Sequence, residues 1–262
     1  MSRLIDKLTR IRQNEPQPIG FAALGKPVAE KPRIQIIACM KPADLDKLSE
    51  GLNSADAALI LIGNVEDVAT LEKACENIKN IPIGGWFKAF NNETLKEARA
   101  AACDYWVFPG TAPANLTQAE KIGRVLELDD ALNERFIRAA GDLSIDALLI
   151  SDQSEDKSLT INRLVFFQYL VNSINKPIVV AVPINLTESD LQALWDIGIN
   201  GVTIELADVK STKVLAELQK AAKNLAPPAY LKRFKASATL PRMQPEPEEP
   251  QEDGGEEEEE EP

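Results

Sequence analysis

Four charged side chains carry the chemistry this chain could perform. Glu127 and Asp129 stand two residues apart in Arg124-Val125-Leu126-Glu127-Leu128-Asp129. This alternation is that of a β-strand, where residues i and i+2 share a face. Val125, Glu127 and Asp129 fall on one face, and Leu126 and Leu128 on the other. Lys88 follows Trp86 by two residues, and Glu205 follows Thr203 by two. A lysine among partly buried carboxylates forms an acid–base set, because burial and neighbouring charge move such groups toward neutrality. Two other readings stay open for Lys88: an imine-forming amine, or the cation of a compensated ion pair with Glu127. Glu127, Asp129 and Glu205 could together hold Mg²⁺, which favours hard oxygen ligands. That is the weaker reading, so no metal is assigned, and no cofactor is identified.

Composition removes other chemistry. The chain has no histidine, which excludes Ser-His-Asp and Cys-His arrangements and histidine metal ligands. Cys39, Cys75 and Cys103 have no CxxC spacing and read as buried thiols in a reducing compartment. No apolar run reaches the ~20 residues of a membrane span, and the N-terminus lacks a signal-peptide core. The expectation is a cytoplasmic protein. The net charge of -12 belongs mostly to residues 244–262, which hold eleven acids and no base. The remainder is near neutral, so no nucleic-acid surface is expected.

The elements that must position these side chains repeat. Asp56-Ala57, Asp104-Tyr105, Asp146-Ala147 and Asn200-Gly201 each open an apolar run, at intervals of 48, 42 and 54 residues. Runs of a second type open at Pro32-Arg33-Ile34, Ile81-Pro82-Ile83, Gly123-Arg124-Val125 and Lys176-Pro177-Ile178. Strands are predicted at 33–39, 57–63, 82–88, 104–109, 124–129, 146–151, 177–182 and 201–206. Helices are predicted at about 43–53, 66–79, 92–101, 115–122, 132–143, 160–174, 187–197 and 212–224. Thr160 and Thr187 are N-cap signals, Thr187 with Asp190 has capping-box spacing, and Gly198 is a C-cap signal. Four such βαβα quarters predict a (β/α)8 barrel, typically ~250 residues long. Its chemistry would lie at the C-terminal rim of the strands, where a small-molecule ligand is expected.

The quarter openings, such as Ser144-Ile145-Asp146-Ala147-Leu148-Leu149-Ile150 and Gly198-Ile199-Asn200-Gly201-Val202-Thr203-Ile204, resemble those of aldolase-type TIM barrels. The likeness is to thiamine-phosphate-synthase-like and indole-glycerol-phosphate-synthase-like proteins, and it spans residues 33–225. It implies the fold and the position of a site. Those families bind phosphate through glycines after the seventh and eighth strands. Here the stretches are Ala181-Val182-Pro183-Ile184-Asn185 and Glu205-Leu206-Ala207-Asp208, without glycine and with two acids. This departure argues against a phosphosugar or flavin mononucleotide there.

Parity places further residues inside or at the rim: Trp86, Lys88 and Phe90 on strand three, Thr203 and Glu205 on strand eight, Ser151-Asp152 ending strand six, and Cys39 ending strand one. The polar loop 152–159 and the stiff Pro109-Gly110-Thr111-Ala112-Pro113 would border the site. Residues 1–31 read as an amphipathic helix closing the barrel bottom, followed by a connector. Residues 32–226 read as the barrel, 227–243 as a proline-containing basic extension, and 244–262 as a disordered acidic tail. The sixth helix, with Leu164-Val165-Phe166-Phe167, is apolar nearly all round. A homodimer through it is expected, leaving Phe166 or Phe167 exposed in an isolated chain.

The leading reading is lyase-type or isomerase-type acid–base chemistry on a small organic molecule, carried by Lys88, Glu127, Asp129 and Glu205. The alternative is a non-catalytic barrel that binds or scaffolds.

Overall fold

The computed structural model describes residues 2–13, 33–90, 92–119, 121–129, 134–151 and 158–228. The connector, most of the polar loop 152–159, the acidic tail and the extension from residue 229 lie outside them. Eight parallel strands close into a barrel in sequence order. They are β1 (Gln35–Met40), β2 (Ala57–Ile62), β3 (Ile83–Phe87), β4 (Tyr105–Pro109), β5 (Gly123–Asp129), β6 (Ala147–Ser151), β7 (Ile178–Val182) and β8 (Gly201–Leu206). Closure is the β1–β8 pairing, with Gln35 opposite Gly201 and Met40 opposite Leu206. The strands read as near-continuous apolar runs because each is covered on both faces.

The helices are α1 (Arg3–Gln13), α2 (Leu45–Leu48), α3 (Glu66–Asn77), α4 (Asn92–Ala100), α5 (Glu134–Asp142), α6 (Ile161–Ser173), α7 (Glu188–Ile197) and α8 (Val209–Asn224). The capping box of α7 is formed: Thr187 Oγ1 accepts from the Asp190 amide, and the Asp190 carboxylate accepts from the Thr187 amide. Gly198 ends this helix at φ 100°, a conformation that favours glycine.

Three predicted helices differ. The helix expected at 115–122 is a 3₁₀ turn, Ala114–Gln118, after Pro113. Lys121 then adopts φ 67° and leads the chain straight into β5. A groove of about 370 Å³ remains beside the outer faces of β4 and β5, lined by Phe108, Leu126 and Leu128. The helix expected at 43–53 shortens to α2 between two 3₁₀ turns, since Pro42, Gly51 and Asn53 interrupt it. The eighth helix begins at Val209, three residues before its expected start. Asp208 caps it, accepting from the Ser211 amide at 2.8 Å.

Two apolar layers follow from strand parity. Leu126, Ile204 and their even neighbours pack against the helices. Val125, Val107, Leu149, Val179 and Trp86 fill the barrel interior. Tyr105 lies in that interior against Gly84, where an added Cβ would meet its ring at 2.5 Å. Its hydroxyl donates to the Ala58 carbonyl at 2.7 Å. Phe90 departs from its expected parity. β3 ends at Phe87, and Phe90 joins the outer aromatic cluster with Phe87, Trp106 and Phe108. The exposure expected at Phe166 or Phe167 is also corrected. Phe167 is buried and Phe166 half-buried against the core, while the exposed apolar residues of α6 are Ile161 and Val165.

The quarter openings form a clasp at the strand bases. The Asp56 carboxylate accepts from the Ile36 amide, Asp146 from Arg124, and the Asn200 side chain from Ile178, all at 2.8–2.9 Å. Arg33 and Arg124 fork onto Asp56 and Asp146. Asn200 is 1% exposed and makes the bond with a neutral amide, so no charge is buried there. Asp104 serves a different partner. Its carboxylate accepts from the Arg3 and Leu4 amides at 2.7 and 3.0 Å and from the Ser2 hydroxyl at 2.7 Å. It satisfies the first turn of α1 across 100 residues of chain. Leu4 and Leu8 then plug the barrel bottom, as the amphipathic pattern predicts.

Three outcomes follow. Asp104→Ala should destabilise the fold by about 2 kcal/mol in urea unfolding and release amide-exchange protection in α1, because two backbone donors lose their acceptor. Gly84→Ala should cost about 1–3 kcal/mol through overpacking against Tyr105. The Ser211 amide holds the Asp208 carboxyl below its ordinary pKa. The group therefore stabilises the fold above its unfolded pKa, and that contribution is lost as pH falls through its folded pKa. Comparison with Asp208→Asn across the acid range should show wild type losing its advantage as pH falls.

Candidate functional site at the C-terminal rim

The strands place one cavity of about 330 Å³ at their C-terminal ends. Lys88, Glu127 and Glu205 all line it, as do Trp86, Thr203 and Cys39. Asp129 lies one step further along the same face of β5, opposite Ser151, and is not part of the lining.

The centre of the site is Glu127. One carboxylate oxygen accepts from Trp86 Nε1 at 2.7 Å, and the other from Lys88 Nζ at 3.0 Å. The same ammonium lies 3.7 Å from the Trp86 ring centroid, in cation–π range. Local sequence explains the cluster. Trp86 points inward from β3, and the strand ends one residue later. The Lys88 amide still bonds the Ile62 carbonyl, which holds the lysine beside the barrel mouth. The side chain of Glu127 is 11% exposed and that of Lys88 45%. The carboxylate is thus sheltered, whereas its cation touches solvent.

On the opposite side of the mouth, Lys41 Nζ lies 3.9 Å from Glu205, both well exposed. Such a pair contributes at most ~1 kcal/mol. Sequence reasoning missed Lys41. Its signal is its place directly after Met40, the last residue of β1. Deeper in the cavity, Thr203 is 2% exposed and its hydroxyl has no hydrogen-bond partner. A buried unpaired hydroxyl is costly unless something supplies a partner.

Burial, reinforced by the Glu205 carboxylate, pushes the Cys39 thiol far up, so it stays protonated at neutral pH and is no ready nucleophile. The weaker Mg²⁺ reading meets an obstacle. Among the described residues no three His, Cys, Asp or Glu side chains are grouped to hold a metal. Glu127 and Glu205 are each directed to a lysine instead. The α8 N-terminus, where a barrel of this shape could hold an anion, is occupied by Asp208. Asp208, expected to act only as a repelling rim charge, is therefore also the helix cap.

No helix among the described residues is long and apolar enough to cross a membrane. No family model matches the chain, and no curated protein matches it. Solved structures do. N-(5'-phosphoribosyl)anthranilate isomerase from Pyrococcus furiosus superposes with a TM-score of 0.57 at 15% identity, covering 73% of this chain and 100% of that one. A mutant tryptophan synthase alpha-subunit from the same organism gives 0.56 at 13% identity, covering 74% and 98%. At such identity the likeness is one of fold. With the closed eight-stranded parallel sheet, it shows that this chain has the (β/α)8 barrel fold.

Proposed function

We propose that the chain binds a small organic molecule in the rim cavity and performs proton transfer of the lyase or isomerase type on it. The observation that carries this reading is the Trp86–Glu127–Lys88 cluster lining a cavity at the functional end of the barrel. Glu127 accepts from two donors, and each carboxylate oxygen retains a second lone pair. It would take a proton from carbon beside a carbonyl. Lys88 would offer its ammonium to the oxyanion that develops. Glu205, with Lys41, would shape the charge of the opposite wall. Asp129 would act from the outer rim, toward the loop beyond β5. The solved neighbours support a small-molecule barrel, since their names are those of an isomerase and a synthase subunit.

A second reading has its own support. Both Glu127 oxygens already hold donors, and the phosphate grip typical of such barrels is filled by Asp208. These features suit a barrel that binds or scaffolds without turnover.

Lys88→Met, Glu127→Gln and the double variant separate the two readings. A structural pair predicts that Lys88→Met destabilises by about 1–3 kcal/mol, because it leaves a sheltered carboxylate with one donor. Glu127→Gln should cost less, since Lys88 is half in water and can hydrate. The double variant should recover part of the loss. A catalytic or binding role predicts that a ligand carried through purification, read by native mass spectrometry, is lost in all three. Recovery of stability with ligand retained in the double variant would end the catalytic reading.

A further inference from the structure

Outside the rim, two of the three cysteines come together. Cys75, in the last turns of α3, and Cys103, just before β4, line one cleft of about 250 Å³ at the barrel's lower side. Cys75 is half-exposed and Cys103 buried. Trp106 Nε1 donates to Cys103 Sγ at 3.2 Å. Each thiol is the foremost influence on the other, lowering the Cys103 pKa and raising that of Cys75. Three cations, Arg3, Lys79 and Lys121, line the same cleft, against one carboxylate, Asp104. Cys39 lies on the far side of the sheet, inside the barrel, and takes no part.

We propose that Cys75 and Cys103 form a thiol–disulfide exchange site for a small anionic disulfide, with Cys75 the attacking and Cys103 the resolving sulfur. Exposure fixes the roles, because Cys75 is the more exposed residue of the two. The reacting form of the pair carries a single proton. Cys75 sulfur attacks one sulfur of the incoming RS–SR while its proton passes to Cys103. A Cys75–SR bond forms, the S–S bond of the reagent breaks, and RS⁻ leaves. Cys103 then gives its proton to RS⁻ and attacks Cys75 sulfur, expelling a second RS⁻. The protein pair is oxidised to a disulfide, and the reagent is reduced to one thiol and one thiolate. The cations raise the local concentration of an anionic reagent. The product would tie the end of α3 to the base of β4, beside the Asp104 clasp that holds α1.

The test treats the full-length chain with oxidised glutathione and maps the product by peptide mass spectrometry. The expected product has lost two hydrogens, contains a Cys75–Cys103 disulfide and keeps Cys39 free. Cys103→Ser should trap glutathione on Cys75, and Cys75→Ser should leave Cys103 unmodified. Replacing Lys79 and Lys121 by Gln should slow reaction with oxidised glutathione by roughly tenfold. Reaction with the neutral 2-hydroxyethyl disulfide should be unchanged. The proposal is overturned if wild type keeps three free thiols, if the disulfide involves Cys39, or if glutathione stays on wild-type Cys75. Equal slowing with both reagents would remove the anion preference. The wild-type map stands without any variant, so a variant that misfolds does not decide the result.

Discussion

The barrel depends on a hydrogen bond made three times at its base. A polar side chain at the start of β2, β6 and β8 accepts from a backbone amide at the base of the preceding strand. Buried amides without acceptors carry a penalty of about 1–3 kcal/mol each, so this device recurs at three of the four quarter openings. Its variants show the constraint at work. Where an arginine is at hand, as at Asp56 and Asp146, the acceptor is a charged carboxylate with a forked partner. At Asn200 it is a neutral amide, 1% exposed. At Asp104 the acceptor is spent on α1 instead, which is how an N-terminal helix remote in sequence becomes the floor of the barrel.

The floor frees the other end of the barrel for polar groups. Leu4 and Leu8 complete the interior apolar layer from below, with Tyr105 and Val125 above them. The rim can then carry charge without opening a void beneath. Glu127 is the group most constrained by this arrangement. Trp86 Nε1 and Lys88 Nζ fix both of its oxygens, and the lysine is itself held over the indole. A carboxylate so held needs no reorganisation when charge develops beside it, which is what electrostatic catalysis requires. The same holding suits a plain ion pair. The energetics of the pair decide between the two.

Shape and chemistry part company in this protein. The superposition with the two Pyrococcus furiosus barrels extends over nearly the whole of those chains at 13–15% identity. The segments that follow β7 and β8 nevertheless carry Pro183 and Asp208 where a backbone grip on an anion would need free amides. Asp208 takes the α8 amides for itself. A common sheet with its own loops is the usual way in which this fold varies.

The sequence by itself determined the barrel, its strand order and the inward parity of Glu127 and Glu205, because period-two alternation and the repeated openings are local signals. It also marked the caps at Thr160, Thr187 and Gly198, whose bonding partners lie within a few residues. Tertiary structure alone decided the rest. Phe90 left the interior because β3 ends at Phe87, and parity has no meaning past the end of a strand. The expected helix at 115–122 shrank to a 3₁₀ turn, since the short path into β5 leaves no room for more. Lys41 met Glu205, and Cys75 met Cys103, across separate elements. Such pairings are set by the register and curvature of a closed sheet, and no spacing along the chain encodes them.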